Sequence, residues 1–303
     1  MTFTDKLDKV CEKCTANTKK VYLQNIRRLY RFLDADGEVP TNDSKWLEHK
    51  TVIKKYDALP FNIRRALSVG GLKAARAYEI DTDKWYKRLL NDQTLYRENR
   101  DKNKRTKEED AKMLKGGTKE LKKISAEYKR QINRELKANH NLKTLYKYML
   151  YLILRLFVEF PARNDFPSVE LVASKTGNYV LYKKRKKATF VLKKYKNSDK
   201  LGPREIEISA PLTRVLKEFI KYREGLVEHD FLLSNAAGHP LSRQAFSKAV
   251  HKITSKVSGK SFGSRILRVL HATENAELIS KSKELSNKLL HTKSQTEQYV
   301  KKK

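Results

Sequence analysis

The chain has 303 residues and carries 67 Lys and Arg against 35 Asp and Glu, a formal net charge of +32. That length accommodates two domains, each with its own core, and that charge calls for a polyanionic partner, because every phosphate neutralised by Lys or Arg releases condensed counterions. Composition leaves DNA, RNA and an anionic membrane surface open. The longest apolar run, residues 148–160, is interrupted by Arg155 and Glu159 and is too short to span a bilayer, so it excludes a spanning helix and reads as a buried core helix.

The opening stretch MTFTDKLDKVCEKC lacks an apolar signal-peptide core. The protein is therefore expected inside a cell, not secreted, in a reducing compartment where Cys11 and Cys14 stay free thiols. Their CxxC spacing could supply half of a zinc site or a redox pair. The nearest histidine is His49 and no further cysteine exists, so a solvated helical turn and no metal are expected.

Over residues 15–33, Val21, Leu23, Ile26, Leu29, Tyr30 and Phe32 recur at helical spacing with basic residues opposite, the pattern of an amphipathic basic helix. GEVPTND breaks it, and helical patterning resumes from Ser44 through 52–56 and 63–78. Residues 98–118 hold almost no apolar anchors and end near a Gly-Gly pair, a composition suited to an interdomain linker. Two helical patterns follow at 120–136 and 142–160, the second apolar nearly all round.

After Pro161 the texture changes. Short alternating or β-branched runs at 178–182, 188–192 and 205–208 predict a small three-stranded antiparallel sheet, and helical patterns return at 212–226, 243–257, 264–279 and 283–290. The basic run KKRKK, 183–187, fits a DNA-facing hairpin turn better than a nuclear import signal, given its place between two predicted strands.

Four motifs stand out. F-P-A-R-N-D-F, 160–166, places Arg163 directly after the apolar helix, where it could also cap that helix or pair with Asp165. The stretch F-V-L-K-K-Y-K-N-S-D-K-L-G-P-R-E-I-E-I, 190–208, carries Lys194, Lys196 and Lys200 on a predicted hairpin. S-R-I-L-R-V-L-H-A-T-E, 264–274, sets Arg265 and Arg268 three apart on one helix face. Finally, L-L-H-T-K-S-Q-T-E-Q-Y, 289–299, places His291 23 residues after Arg268, and Tyr299 eight residues after His291.

This order resembles the tyrosine recombinases, or phage-type integrases, over residues 119–303. The Pro-x-Arg-Asn-Asp wording is similar to integrases of eukaryotic large DNA viruses and virophages. Two positions depart from the family pattern: Arg265 replaces a histidine and Leu290 a glycine.

The resemblance implies a mainly α fold with a small antiparallel sheet, arranged as a two-domain DNA clamp. Residues 1–105 would form the helical core-binding domain, 106–118 the linker and 119–303 the catalytic domain. It implies a site-specific recombinase or integrase of a viral or mobile element, working on double-stranded DNA as a homotetramer on two sites, in the host nucleus or at a viral replication site. No cofactor and no metal are implied. Tyr299 would be the nucleophile, Arg163 and Arg268 the phosphate clamp with Arg265 beside them, His291 a hydrogen-bond donor or proton shuttle, and Lys196 the general acid. Lys194 and Lys200 compete for that last role.

The chemistry accounts for these residue types. A phenol with a pKa of about 10 is a poor nucleophile until nearby cations favour the phenolate. The planar forks of two arginines can hold the non-bridging oxygens of a five-coordinate phosphorus. A type IB topoisomerase would use a similar set, and a catalytically inactive DNA-binding relative is the reading that Arg265 and Leu290 keep open.

Overall fold

The computed structural model describes residues 2–34, 37–101, 106–183, 186–196, 198–278 and 280–282. The chain divides into two compact units, Met1–Lys104 and Arg105–Lys303.

The first unit is all-helical: α1 (Phe3–Val10), α2 (Ala16–Tyr30), α3 (Lys50–Asp57), α4 (Phe61–Ala77) and α5 (Asp83–Asp101). Thr2 and Asp5 close a capping box on α1, and the Thr15 side chain caps α2 by accepting the Thr18 amide. Ile26 and Leu29 of α2 join Val52, Tyr56, Leu67 and Trp85 in one core. Within it the Asp92 carboxylate accepts hydrogen bonds from Tyr56 Oη and from Arg64 Nε at 3.0 Å, tying α3, α4 and α5 together. Burial and the Asp92 charge push the Tyr56 phenol well above its ordinary range.

Cys11 corrects the expectation of a solvated turn. It continues the buried Phe3 and Leu7 stripe at four-residue spacing and is itself buried, and burial raises its thiol pKa; Cys14 is partly covered. Both cysteines are free thiols.

Gly71 sits where α4 meets α5. A Cβ there would stand 2.2 Å from Trp85 Cε3, inside any van der Waals distance. Gly71→Ala is therefore expected to destabilise this unit by about 1–3 kcal/mol through overpacking. Denaturant unfolding followed by tryptophan fluorescence checks it, because both tryptophans of the chain, Trp46 and Trp85, lie in this unit. An unchanged midpoint would contradict the close approach.

The second unit contains α6 (Lys107–Lys112), α7 (Gly117–Ala138), α8 (Leu142–Glu159), β1 (Val169–Glu170), β2 (Asn178–Leu181), β3 (Thr189–Leu192), α9 (Ser198–Leu201), β4 (Arg204–Glu207), α10 (Ala210–Arg223), α11 (Arg243–Ser258) and α12 (Ser264–Glu274). Helix α8 is buried on nearly every side from Tyr148 to Phe157, as its all-round apolar pattern demands, and α7, α10 and α11 pack against it. Phe157, Phe166, Phe190 and Phe246 extend the same core to the sheet and α11. Gly259, at φ 69°, ends α11 in the left-handed conformation that glycine adopts without a Cβ penalty.

The sheet corrects the three-stranded antiparallel expectation. It is a four-stranded mixed sheet ordered β1-β2-β3-β4, with β1 parallel to β2 and the other pairs antiparallel. Two-residue β1 is too short to show alternation in the sequence. Residues 106–118, read above as linker, carry α6 and belong to the second unit: Leu114 is buried in its core and Lys260 Nζ donates to the Met113 carbonyl at 2.9 Å. Helix α12 ends at Glu274, and after a turn at Asn275 helical conformation resumes at 276–278, so the expected pattern 264–279 is interrupted once; the helix expected at 283–290 lies outside the described residues.

Candidate DNA-phosphate site

The site is assembled on three separated stretches of the second unit. The first is the turn after α8. Phe166 anchors it by packing its ring against Phe157 and Phe160, with centroids 5.9 and 5.4 Å away, and Arg163 projects from this turn into solvent. Asn164 Oδ1 accepts a 2.8 Å hydrogen bond from Ser264 Oγ at the first position of α12. That bond joins the Arg163 turn to the helix carrying Arg265 and Arg268.

Helix α12, the second stretch, is fixed along its length. His271 Nε2 donates to the Phe157 carbonyl at 2.7 Å, and the Glu274 carboxylate accepts the Thr118 amide at the start of α7 at 2.5 Å. Arg268 Nε donates to the Ser264 carbonyl at 3.3 Å, which holds the stem of its guanidinium along the helix.

The hairpin β2–β3 and its continuation form the third stretch. The buried Asn178 side chain organises it: Nδ2 donates to Ser168 Oγ and to the Lys194 carbonyl, and Oδ1 accepts the amides of Lys193 and Lys194, all at 2.8 Å. Both amide hydrogens and both acceptor positions are thus used. Lys193 Nζ is occupied by the carbonyls of Ser174 and Lys175, each at 3.0 Å. Lys194 and Lys196 instead line an open groove of about 710 Å³ with Asp165, Tyr195, Ser242 and Arg243. Lys200 lies on α9 and is not among the groove's lining residues.

Asp165 is the electrostatic centre. It is half-buried, and desolvation raises its carboxyl pKa while the charges of Arg243, Arg163 and Arg268 pull it back. Arg268 shows the complementary pattern: burial and the charges of Arg163 and Arg265 push its guanidinium below its ordinary value, with Asp165 opposing. Arg163, Arg265 and Arg268 therefore share one field. Arginine remains charged throughout, so the cluster presents several fixed cations to an anion.

His291 and Tyr299 lie outside the described residues, as do Asn197 beside Lys196 and two residues of the basic run 183–187. Three contributors were not assigned from sequence. Arg243 opens α11 immediately after its Ser242 cap, a cue that marks a helix start but no chemistry. Asn178 resembles an ordinary strand residue, and Glu109, which pairs with Arg265, resembles linker charge. Among the described residues no group of His, Cys, Asp and Glu could hold a metal, and no helix is long and apolar enough to cross a membrane.

A distant structural likeness is to XerA recombinase. The match to its crystal structure covers 99% of this chain and 93% of that one, at 11% identity and a TM-score of 0.39. No protein-family model and no curated protein matches the sequence.

The raised carboxyl of Asp165 carries a pH signature. A group whose folded pKa is raised contributes stability below its unfolded value, near 3.8, and that contribution is lost as pH rises through the folded value. Asp165→Asn removes this term. The stability of the variant relative to the parent is therefore expected to increase from about pH 4 to neutrality in unfolding measured across that range, and a relative decrease would show that the arginines outweigh desolvation.

Proposed function

We propose that the chain is a tyrosine-type site-specific DNA recombinase that cleaves and rejoins duplex DNA through a 3′-phosphotyrosine intermediate. The observation that carries this reading is the cluster of Arg163, Arg243 and Arg268 around Asp165, with Arg265 adding its charge beside Arg268, next to a groove lined by Lys194 and Lys196. Residues so far apart in sequence share this site in a chain of charge +32. Such a cluster suits a phosphodiester, whose non-bridging oxygens can take paired N–H donors from two guanidinium forks.

In the proposed reaction the Tyr299 phenolic oxygen attacks phosphorus in line with the departing 5′ oxygen. The new P–O bond forms as the old one breaks, and the leaving oxygen takes a proton from Lys196. Arg163 and Arg268 stabilise the charge that accumulates on the non-bridging oxygens, and Arg265 adds to the field. His291 donates a hydrogen bond to the same oxygens or shuttles the tyrosine proton. The phosphotyrosine bond conserves the energy for rejoining. The two units would hold the duplex as a clamp, and four protomers on two sites would exchange strands.

The test is trapping. The full-length chain is incubated with nicked suicide duplexes drawn from a randomised library, and the residue bearing DNA is mapped by mass spectrometry. Linkage at Tyr299 supports the reading; linkage elsewhere, or none, overturns it. Dependence on paired sites then separates a recombinase from a type IB topoisomerase, which relaxes DNA as a monomer, and binding without linkage identifies an inactive relative.

A further inference from the structure

Arg265 is the one described member of the proposed catalytic set engaged by a salt-bridge partner of its own. Its Nη2 lies 2.5 Å from Glu109 Oε1, and the exposures of the two side chains are unequal: 74% for the arginine and 12% for the glutamate. The carboxylate is an enclosed anchor and the guanidinium an open arm.

We propose that Glu109 is a positioning residue of the phosphate site, holding the Arg265 guanidinium so that α12 presents two ordered cations, Arg265 and Arg268, to one phosphate. The inference rests on the phosphoryl-transfer reading above and adds to it a residue outside the sequence motifs.

Two features fix the anchor. Glu109 occupies the third position of α6, where Oε2 accepts the Thr106 amide at 3.1 Å while Thr106 Oγ1 accepts the Glu109 amide, also at 3.1 Å. This capping box commits one carboxylate oxygen and leaves the other facing Arg265. The segment bearing Glu109 is itself pinned to the α11–α12 region through Lys260 and Met113, through buried Leu114 and through the Thr118–Glu274 bond at the far end of α12. Glu109 and Arg265 also line the same small cleft with His251 and Phe262.

A surface arginine ordinarily samples many rotamers and loses that freedom when it grips an anion. A guanidinium already held by one terminal nitrogen has lost part of it beforehand, and its other N–H groups remain for an oxyanion. The same ion pair could act in the opposite sense, as a lock that competes with phosphate for Arg265. The two roles differ in sign, which makes them separable.

The experiment compares the full-length parent with Glu109→Gln, Arg265→Ala and the double variant. Glutamine keeps an oxygen for the Thr106 cap and removes the charge. The first readout is the order parameter of the Arg265 Nε–H group by NMR in the DNA-free protein. It is expected to fall in Glu109→Gln, and an unchanged value overturns the proposal whatever the activity. The second is the initial rate of adduct formation on the suicide duplex.

That rate is expected to fall about tenfold in Glu109→Gln, with duplex affinity nearly unchanged, and to fall no further when Glu109→Gln is added to Arg265→Ala. A faster rate in Glu109→Gln would establish the lock and overturn positioning, as would fully additive losses. If the parent forms no adduct, the recombinase reading fails by itself, and the NMR arm still decides whether Glu109 positions Arg265.

Discussion

Tyr299→Phe is expected to abolish the covalent protein–DNA adduct and all strand exchange while duplex binding persists. The substitution deletes one oxygen, and in the proposed mechanism that oxygen is the nucleophile, so no partial activity survives its removal. The arginines should behave differently. Arg163→Ala or Arg268→Ala leaves the nucleophile in place and is expected to slow adduct formation by roughly a hundredfold or more, if each supplies about 3 kcal/mol of transition-state stabilisation. Arg268 is the more telling of the two, because its guanidinium is partly desolvated beside Asp165, where an electrostatic contact is screened less than at an open surface. Adduct yields on a suicide duplex, set beside binding isotherms for the same duplex, measure both effects. Adduct from Tyr299→Phe would place the nucleophile elsewhere and remove the central claim.

The second large effect concerns salt. With a formal charge of +32, binding to duplex DNA should be driven mainly by counterion release. Each phosphate contacted contributes about −0.9 to the slope of log affinity against log salt, so roughly six contacts predict about a thousandfold loss between 50 and 200 mM salt. Fluorescence anisotropy with a labelled duplex across that range gives the slope directly. A flat response would contradict a phosphate-directed surface, and a slope well beyond that of six contacts would mean that both units engage the backbone.

Much of the architecture was legible in the sequence for identifiable reasons. Helix α8 announced itself because a helix surrounded by protein carries apolar residues on every face, and α2 because one apolar stripe faces the core. Pro161 and the change to alternating residues marked where helices give way to the sheet. Strand β1 escaped because two residues cannot display a period, and its parallel pairing with β2 depends on a connection through 171–177 that no local pattern specifies. The 106–118 segment was misleading because its polar composition reports solvent exposure well and attachment poorly. A few contacts, such as buried Leu114 and the Lys260–Met113 bond, place it in the second unit.

The site divides in the same way. Arg163, Lys196, Arg265, Arg268, His291 and Tyr299 could be named as candidates because the order and spacing of the motifs single them out, and His291 and Tyr299 lie outside the described residues. Their neighbours were not. Arg243 enters the field of Asp165 only once α11 is packed, and Glu109 meets Arg265 across more than 150 positions of sequence. Partners that recognise each other only after folding leave no periodic trace in the sequence.

The Asn178 scaffold makes the groove suited to graded replacement of the proposed proton donor. All four of its hydrogen bonds go to backbone atoms of 193 and 194 or to Ser168, and none depends on which side chain stands at Lys194 or Lys196. Donors of different acidity can therefore be installed at 194 without loss of the hydrogen bonds that hold its backbone, and compared with the same replacements at 196. A plot of cleavage rate against donor pKa would yield a Brønsted slope, a measure of how far the proton has travelled when the phosphodiester breaks. A duplex with a 5′-thiol leaving group, which needs no proton, supplies the reference line. The position whose slope collapses on that reference is the donor. One buried amide thereby turns a question of residue assignment into a measurement of transition-state structure.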